Sequence, residues 1–212
     1  MPLAAAAYAS DPKPCLNNVL DGAKLIRRFE VPCDATLKNT CSGYTWIDES
    51  RKMLGLRKFH NGGSVVEYFN DGFFALWKNG GMGNIVQEMF RQHPDFDLYP
   101  SDHSLGGSMA AIAAAYIVSS GVHPPNRIIL YTFGQPRIGD TQFTKHLGTA
   151  LFYENDMESG APFVICKGNE DPKCSAKFHV IETNFGEDHV HYFGENILAF
   201  GQQGCKRTNT TV

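Results

Sequence analysis

The stretch Ser101–Val118, SDHSLGGSMAAIAAAYIV, decides the fold of this chain. A serine stands between a histidine and a Leu-Gly-Gly turn, and an alanine-rich apolar segment follows at once. The small residue two positions after Ser104 lets a strand and a helix pack closely, as a nucleophile elbow requires. The pattern predicts a sharp turn at Ser104 and a buried helix from Leu105 to about Ser119.

The segments on either side of this turn read as strands. Arg127–Phe133, RIILYTF, is a continuous apolar run rich in β-forming residues, and Phe96–Tyr99 is a short strand candidate before the turn. A strand, a turn, a helix and a second strand form a βαβ unit. The sequence therefore predicts an α/β fold whose sheet is at least partly parallel, with a right-handed crossover.

The remaining elements are predicted from periodicity and from turn residues. The 212 residues suit a single domain, 1–212, with a real core. Helices are expected at 3–8, 65–77 and 83–92, strands at 43–47 and 52–57, a polar loop at 33–41, and short strands after Pro162.

The bulk composition excludes several partners. The net charge is −3 and no block of Lys or Arg is present, so nucleic acid is not expected. No apolar run reaches the length that spans a bilayer, and Met109–Val118 is better read as a buried helix. The opening residues, MPLAAAAYAS, lack a basic segment, so a secretion leader is expected upstream of this start or already removed.

The six cysteines suggest disulfides and an oxidising compartment. Two close pairs could close small loops and a third could tie the two ends together: Cys33 with Cys41, Cys166 with Cys174, and Cys15 with Cys205. The spacings do not fit a zinc site. The alternative is a cytosolic protein with six buried, reduced thiols.

Ser104 has a chemical interpretation and a structural one. As a nucleophile, it would project over the helix N-terminus, where the backbone N–H of Leu105 and the helix dipole would stabilise an oxyanion. The alternative is a polar residue in a helix-entry turn.

The combination of HSLGG with YTFGQPRIGD from Tyr131 resembles the class 3 lipases, the fungal lipase-like family of the α/β-hydrolase fold. The stretches ICKGNEDPKCS and DHVHYFG resemble the C-terminal portion of secreted nematode members. The resemblance implies a mostly parallel central sheet flanked by helices, although the chain looks like a lipase with internal segments removed.

The resemblance implies a Ser-His-Asp triad, without a cofactor, that hydrolyses acyl esters of lipids of the triacylglycerol type. The nucleophile carries over to Ser104, and the family histidine, in a D-H-x-x-Y-F stretch, carries over to His189. In an extended segment His191 would share a face with His189. The two could also bind a metal, but no third ligand is evident.

The chain departs from the family pattern beside the nucleophile. Asp102 stands where the family has glycine, two positions before Ser104, and its charge would oppose an oxyanion. The family's F-R-G-T segment, which supplies a second oxyanion donor, is missing, and Ser64 is the only nearby hydroxyl. Loss of one such donor typically costs about 10²–10³ in turnover.

The triad acid is unknown, because no D-x-V-P segment is found. Asp140 matches a non-catalytic position, Asp156 could act as a substitute, and Glu154 matches nothing catalytic. The sequence therefore predicts a secreted, lipase-like serine hydrolase with impaired catalysis. The alternative is an inactive lipase fold retained as a lipid- or protein-binding module. A third interpretation is a cytosolic structural protein with a chance HSLGG turn.

Overall fold

A computed structural model describes residues 1–19, 25, 27–29, 31–32, 40–41, 55–148, 150–155, 157, 160–167, 171–177 and 188–206. The helices are α1 (Pro2–Ala6), α2 (Lys13–Val19), α3 (Glu67–Phe74), α4 (Met82–Gln92), α5 (Ser104–Ser119), α6 (Thr141–Thr144) and α7 (Ile197–Gln202). The strands are β1 (Val31–Pro32), β2 (Thr40–Cys41), β3 (Leu56–Lys58), β4 (Ser64–Val66), β5 (Ser101–His103), β6 (Tyr131–Phe133), β7 (Ala150–Phe152), β8 (Val164–Cys166), β9 (His191–Tyr192) and β10 (Glu195–Asn196). A π-helical turn, Ala75–Asn79, continues α3, and 3₁₀ turns occupy Pro125–Arg127, Lys145–Leu147 and Ser175–Lys177.

The chain packs as two compact units. The larger unit is Arg27–Leu147, and the smaller unit combines Met1–Ile26 with Gly148–Val212. The single domain 1–212 stays a prediction, and each unit is described by itself below.

The larger unit contains the predicted βαβ arrangement. Strands β5 and β6 pair in parallel, with Asp102 opposite Thr132, and α5 connects them. A bridge between Leu98 and Ile128 extends the pairing beyond the two strands. The predicted α/β architecture with a parallel pair is therefore present, while the other four strand pairs among the described residues are antiparallel.

The two strands predicted on either side of α5 have other bounds in the structure. The strand before the turn was expected at 96–99 but is β5, because Pro100 has no N–H to donate and interrupts a continuous ladder. The strand expected over 127–133 is confined to β6 and the bridge at Ile128. A 3₁₀ turn that starts at Pro125 occupies its first residue.

Helix α5 lies in the core of the larger unit, because alanine and glycine allow close packing on its faces. Ala111 and Ile112 are fully buried, and α3 contributes Phe69 and Phe73 to the same cluster. A helix that is apolar on all sides is typical of such a buried position. The predicted start of α5 at Leu105 is one residue late.

The helix predicted over 65–77 is wrong at its start. Val65 and Val66 belong to β4, which pairs with β3, and the N–H of Val66 donates to the carbonyl of Ile138. β-branched residues with partners on both sides favour a strand over a helix. The strand predicted at 52–57 corresponds to β3, and the one at 43–47 lies outside the described residues.

The smaller unit is held by two disulfides. Cys15 on α2 is bonded to Cys205 beyond α7, and Cys166 on β8 is bonded to Cys174. These are two of the three pairs expected from the sequence; Cys33 with Cys41 falls outside the described side chains. Helix α7 was not predicted. It begins at the cap Asn196, whose side chain accepts hydrogen bonds from two N–H groups of the first turn.

Candidate active site

Ser104 stands at the corner between β5 and α5 with a backbone φ of 53°. The preceding residue, His103, is extended, so the chain reverses its conformation at the serine. A positive φ is costly for a residue with a Cβ and is typical of a strained functional turn. The geometry is that of a nucleophile elbow, and we call Ser101–Gly107 the elbow.

Two glycines allow the elbow to form. A Cβ built on Gly106 would lie 2.5 Å from Cγ of Asp102, well inside van der Waals contact. A Cβ on Gly107 would lie 3.4 Å from Cβ of Thr132 on the paired strand. A side chain at position 106 would collide with the Asp102 carboxyl group, and one at position 107 would be crowded by β5 and β6, so small residues are favoured after Ser104.

Asp102 turns its carboxyl group into the elbow. Its Oδ1 accepts a hydrogen bond of 2.7 Å from the N–H of His103, and the carboxyl packs against Gly106. Burial raises the pKa of Asp102 from its ordinary 3.8 to about 6, although the hydrogen bond from His103 opposes that rise. The elbow thus contains a carboxyl group that changes charge near neutral pH.

The N-terminus of α5 provides the candidate oxyanion donor. The helix has 16 residues, and Leu105 follows Ser104 in its first turn. The side chain of His103, the N-cap residue, makes no capping hydrogen bond to this helix. The helix N-terminus favours negative charge, which supports the predicted role of the Leu105 N–H.

Ser64, the candidate for the second oxyanion donor, has a structural role. It is buried in β4, and its backbone carbonyl accepts a hydrogen bond of 2.9 Å from the N–H of Asp140. The Asp140 carboxylate caps α6 by accepting the N–H of Phe143 at 2.8 Å. This bond first, and the backbone N–H and hydroxyl of Ser64 after it, lower the pKa of Asp140.

His189 lies in the smaller unit, in a turn formed by residues 188–190. The expected extended segment is therefore wrong at this residue, and only His191 belongs to strand β9. The shared face argued for the two histidines does not follow, because a turn breaks the alternation of a strand.

The backbone at His189 is fixed by a neighbour that sequence reasoning missed. The hydroxyl of Tyr192, a buried residue, donates a hydrogen bond of 3.0 Å to the carbonyl of His189. Burial also lowers the pKa of the His189 imidazole, which favours the neutral form of the ring. A tyrosine three residues after the histidine was the signal in the sequence. Ser104 and His189 belong to different units, and their pairing is a proposal below.

The candidate acids differ in what surrounds them. Glu154 pairs with Lys177, which gives it a structural partner. Asp156 lies outside the described residues. Its neighbour Asn155 accepts the N–H of Met157 at 2.9 Å and donates to the carbonyl of Pro162 at 2.9 Å.

The described part of the chain contains neither a candidate metal site nor a candidate membrane-spanning helix. No group of three or more His, Cys, Asp or Glu side chains there could hold a metal ion. No helix there is long and apolar enough to cross a membrane.

The fold and the elbow together define an α/β-hydrolase. A solved lipase from Rhizopus microsporus var. chinensis is similar to this chain with a TM-score of 0.57 and 22% identity, over 72% of this chain and 61% of that one. The family model for lipase (class 3) matches residues 35–158. The chain therefore belongs to the class 3 lipase family, as its motifs predicted.

Curated relatives give the same family. Lipase ZK262.3 of Caenorhabditis elegans is 25% identical over 293 residues, covering 98% of this chain and 81% of the relative. The secreted mono- and diacylglycerol lipase 2 of Gibberella zeae is 34% identical over 106 residues, covering 48% of this chain and 25% of the relative. The chain thus spans a quarter of that fungal relative and less than two thirds of the solved lipase.

Proposed function

We propose that this chain is a secreted serine hydrolase that cleaves acyl esters of lipids, with Ser104 as nucleophile and His189 as general base. One observation supports this most strongly. Ser104 adopts a left-handed φ of 53° at the start of α5, in a chain of the class 3 lipase family. A serine that only entered a helix would take the common extended cap conformation.

The reaction follows from these roles. Ser104 Oγ attacks the ester carbonyl carbon, His189 takes the hydroxyl proton, and the oxyanion accepts the N–H of Leu105. The tetrahedral intermediate expels the alcohol, which receives its proton from His189, and Ser104 is left acylated. Water then attacks the acyl group and gives its proton to His189. The carboxylic acid leaves as that proton returns to Ser104.

We expect slow turnover. The second oxyanion donor is not identified, since Ser64 hydrogen bonds with Asp140. The triad acid is unknown, and Asp156, which could act as a substitute, lies within the residues that the family model matches. A histidine without its acid costs about 10⁴ in turnover.

Secretion is supported by two independent observations. Cys15–Cys205 and Cys166–Cys174 are bonded, and such bonds persist in oxidising compartments. One relative with 34% identity over half of this chain is named as a secreted lipase.

The second candidate function is an inactive lipase fold that binds lipid or protein. The observation that favours it is the carboxyl group of Asp102 within the elbow. When this carboxyl group is ionised, its negative charge opposes the oxyanion on which hydrolysis depends.

Ester hydrolysis and covalent labelling separate the two functions. The full chain is assayed with short- and long-chain p-nitrophenyl esters and with a fluorophosphonate, which phosphonylates an activated serine. Activity and labelling should be lost in Ser104→Ala and His189→Ala. They should persist in Ser120→Ala, at the exposed end of α5, and in His191→Ala. Equal background in the unsubstituted protein and Ser104→Ala would favour the binding module.

A further inference from the structure

The carboxyl group of Asp102 on β5 is packed against the N-terminal turn of α5. Its carboxyl contacts Gly106, two residues after the nucleophile, and accepts the N–H of His103, one residue before it. The Asp102 carboxyl group therefore contacts the chain both before and after Ser104. Any change in its charge acts on the serine and on the first turn of the helix.

The elements that pack against Asp102 carry few other charges. The first turns of α5, from Ser104 to Met109, have no ionisable side chain apart from the serine itself. On β6 the directly opposite residue is Thr132, and the only titratable side chain is that of Tyr131, which is half exposed. The loop after β6 contributes Arg137, and β5 itself contributes His103.

We infer that Asp102 is a pH-dependent gate on Ser104: the ionised carboxylate suppresses attack by the serine, and a proton on the carboxyl group restores it. The inference rests on the proposed function, because it assigns a regulator to that same nucleophile. Asp102 acts through the elbow rather than on the substrate, so it is a positioning residue.

The physical reason is that the ionised Asp102 carboxylate and the oxyanion would both lie at the N-terminus of α5, where the two negative charges repel each other. The oxyanion formed on attack by Ser104 is stabilised by the Leu105 N–H and the positive end of the α5 dipole. An ionised Asp102 faces the same turn and repels the developing charge, whereas a neutral carboxyl group does not. Solvent screens this repulsion only in part, because most of the carboxyl group is shielded by the protein.

Two groups then define the pH range of reactivity. Asp102 must be neutral, which favours pH values below its pKa of about 6. His189 must also be neutral, which requires pH values above its pKa, and burial lowers that pKa. Labelling should therefore slow on the alkaline side as Asp102 ionises and on the acidic side as His189 gains a proton, which gives a bell-shaped pH profile.

The test measures the rate at which a fluorophosphonate labels Ser104 between pH 4 and pH 8, with mass spectrometry to locate the adduct. The unsubstituted chain is compared with Asp102→Asn, which keeps the shape without the charge, and with Asp102→Gly. Asp95→Asn, an exposed acid in the loop between α4 and β5, is the matched control. Circular dichroism at each pH checks that every protein is folded.

The unsubstituted chain and Asp95→Asn should lose about tenfold in labelling rate between pH 5.5 and pH 7.5, the equivalent of one pKa unit of coupling. Asp102→Asn and Asp102→Gly should keep the acidic limb, which His189 sets, and lose the alkaline one. If the unsubstituted chain is labelled and its profile matches that of both Asp102 variants, the gate is refuted and the nucleophile stands. If no protein is labelled at any pH, the proposed function fails and the gate fails with it.

Discussion

Replacing Asp102 by asparagine should raise the free energy of unfolding at neutral pH and leave it almost unchanged near pH 4. In the folded protein, burial raises the pKa of this carboxyl from 3.8 to about 6. The folded state therefore binds a proton more tightly than the unfolded chain does. Stability contributed by the neutral carboxyl is fully present below pH 3.8, falls as the pH rises, and is gone above about pH 6.

The magnitude follows from the shift of about two pKa units. Each unit corresponds to about 1.4 kcal/mol, so the ionised carboxylate should cost the folded state about 3 kcal/mol at pH 7. This figure is an upper value, because part of the residue reaches solvent. Asparagine can still accept the N–H of His103, and it carries no charge. Its advantage over aspartate should therefore appear only as the pH rises.

Urea unfolding at pH 4, 5, 6, 7 and 8, followed by fluorescence, measures the effect. Trp77 is buried in the larger unit and reports on the unit that contains the elbow. The quantity of interest is the difference in free energy of unfolding between the two proteins, from which other titrating groups cancel. A difference that stays constant from pH 4 to pH 8 would refute the buried, pH-sensitive carboxyl group.

Two further predictions concern stability away from the elbow. Replacing both cysteines of Cys15–Cys205 by serine should cost about 5 kcal/mol, against about 2.5 kcal/mol for Cys166–Cys174. The first bond closes 190 residues of chain and the second only 8; equal losses in urea unfolding would contradict the loop-length argument. Gly139→Ala should lower the free energy of unfolding by about 3 kcal/mol, because the new methyl would collide with the backbone oxygen of Ser64. Its control is Gly81→Ala, whose methyl meets nothing within 4 Å and should cost about 1 kcal/mol of left-handed strain. A loss no larger than that of the control would show that the two segments can separate without cost.

The elbow could be predicted from sequence because its requirements are local. A small residue after Ser104 and an alanine-rich helix lie within 15 positions of one another. Strand β4 could not, because its conformation depends on Ile138 and Gly139, more than 70 positions further along the chain. The apolar spacing from residue 65 onward fits a helix, and the pairing with β3 together with the bridge to Gly139 decides for a strand at its start.

The candidate site also combines residues that the sequence identifies with properties that only the folded structure determines. The sequence shows that Asp102 stands where the family has glycine. The sequence alone does not show that its pKa is raised, because that rise comes from burial in the folded protein. The buried Tyr192 hydroxyl on the His189 carbonyl is a three-dimensional contact that the sequence could suggest only through its spacing.

Two features of the elbow lower the stability of the folded protein. The left-handed backbone of Ser104 costs about 1–3 kcal/mol, and the ionised carboxylate of Asp102 adds a second penalty at neutral pH. A fold kept only as a scaffold gains nothing from either, since glycine at 104 would relieve the backbone strain and asparagine at 102 would relieve the charge. A nucleophile that must project from a tight turn does need the strained backbone. The Asp102 carboxyl group contributes to function only if it makes the reactivity of Ser104 depend on pH. The labelling and unfolding experiments on Asp102→Asn therefore separate three outcomes. A gain in stability together with the loss of the alkaline limb is expected of a gate, and a gain in stability with an unchanged labelling profile is expected of an active serine without a gate. A gain in stability with no labelling of either protein is expected of an inactive scaffold.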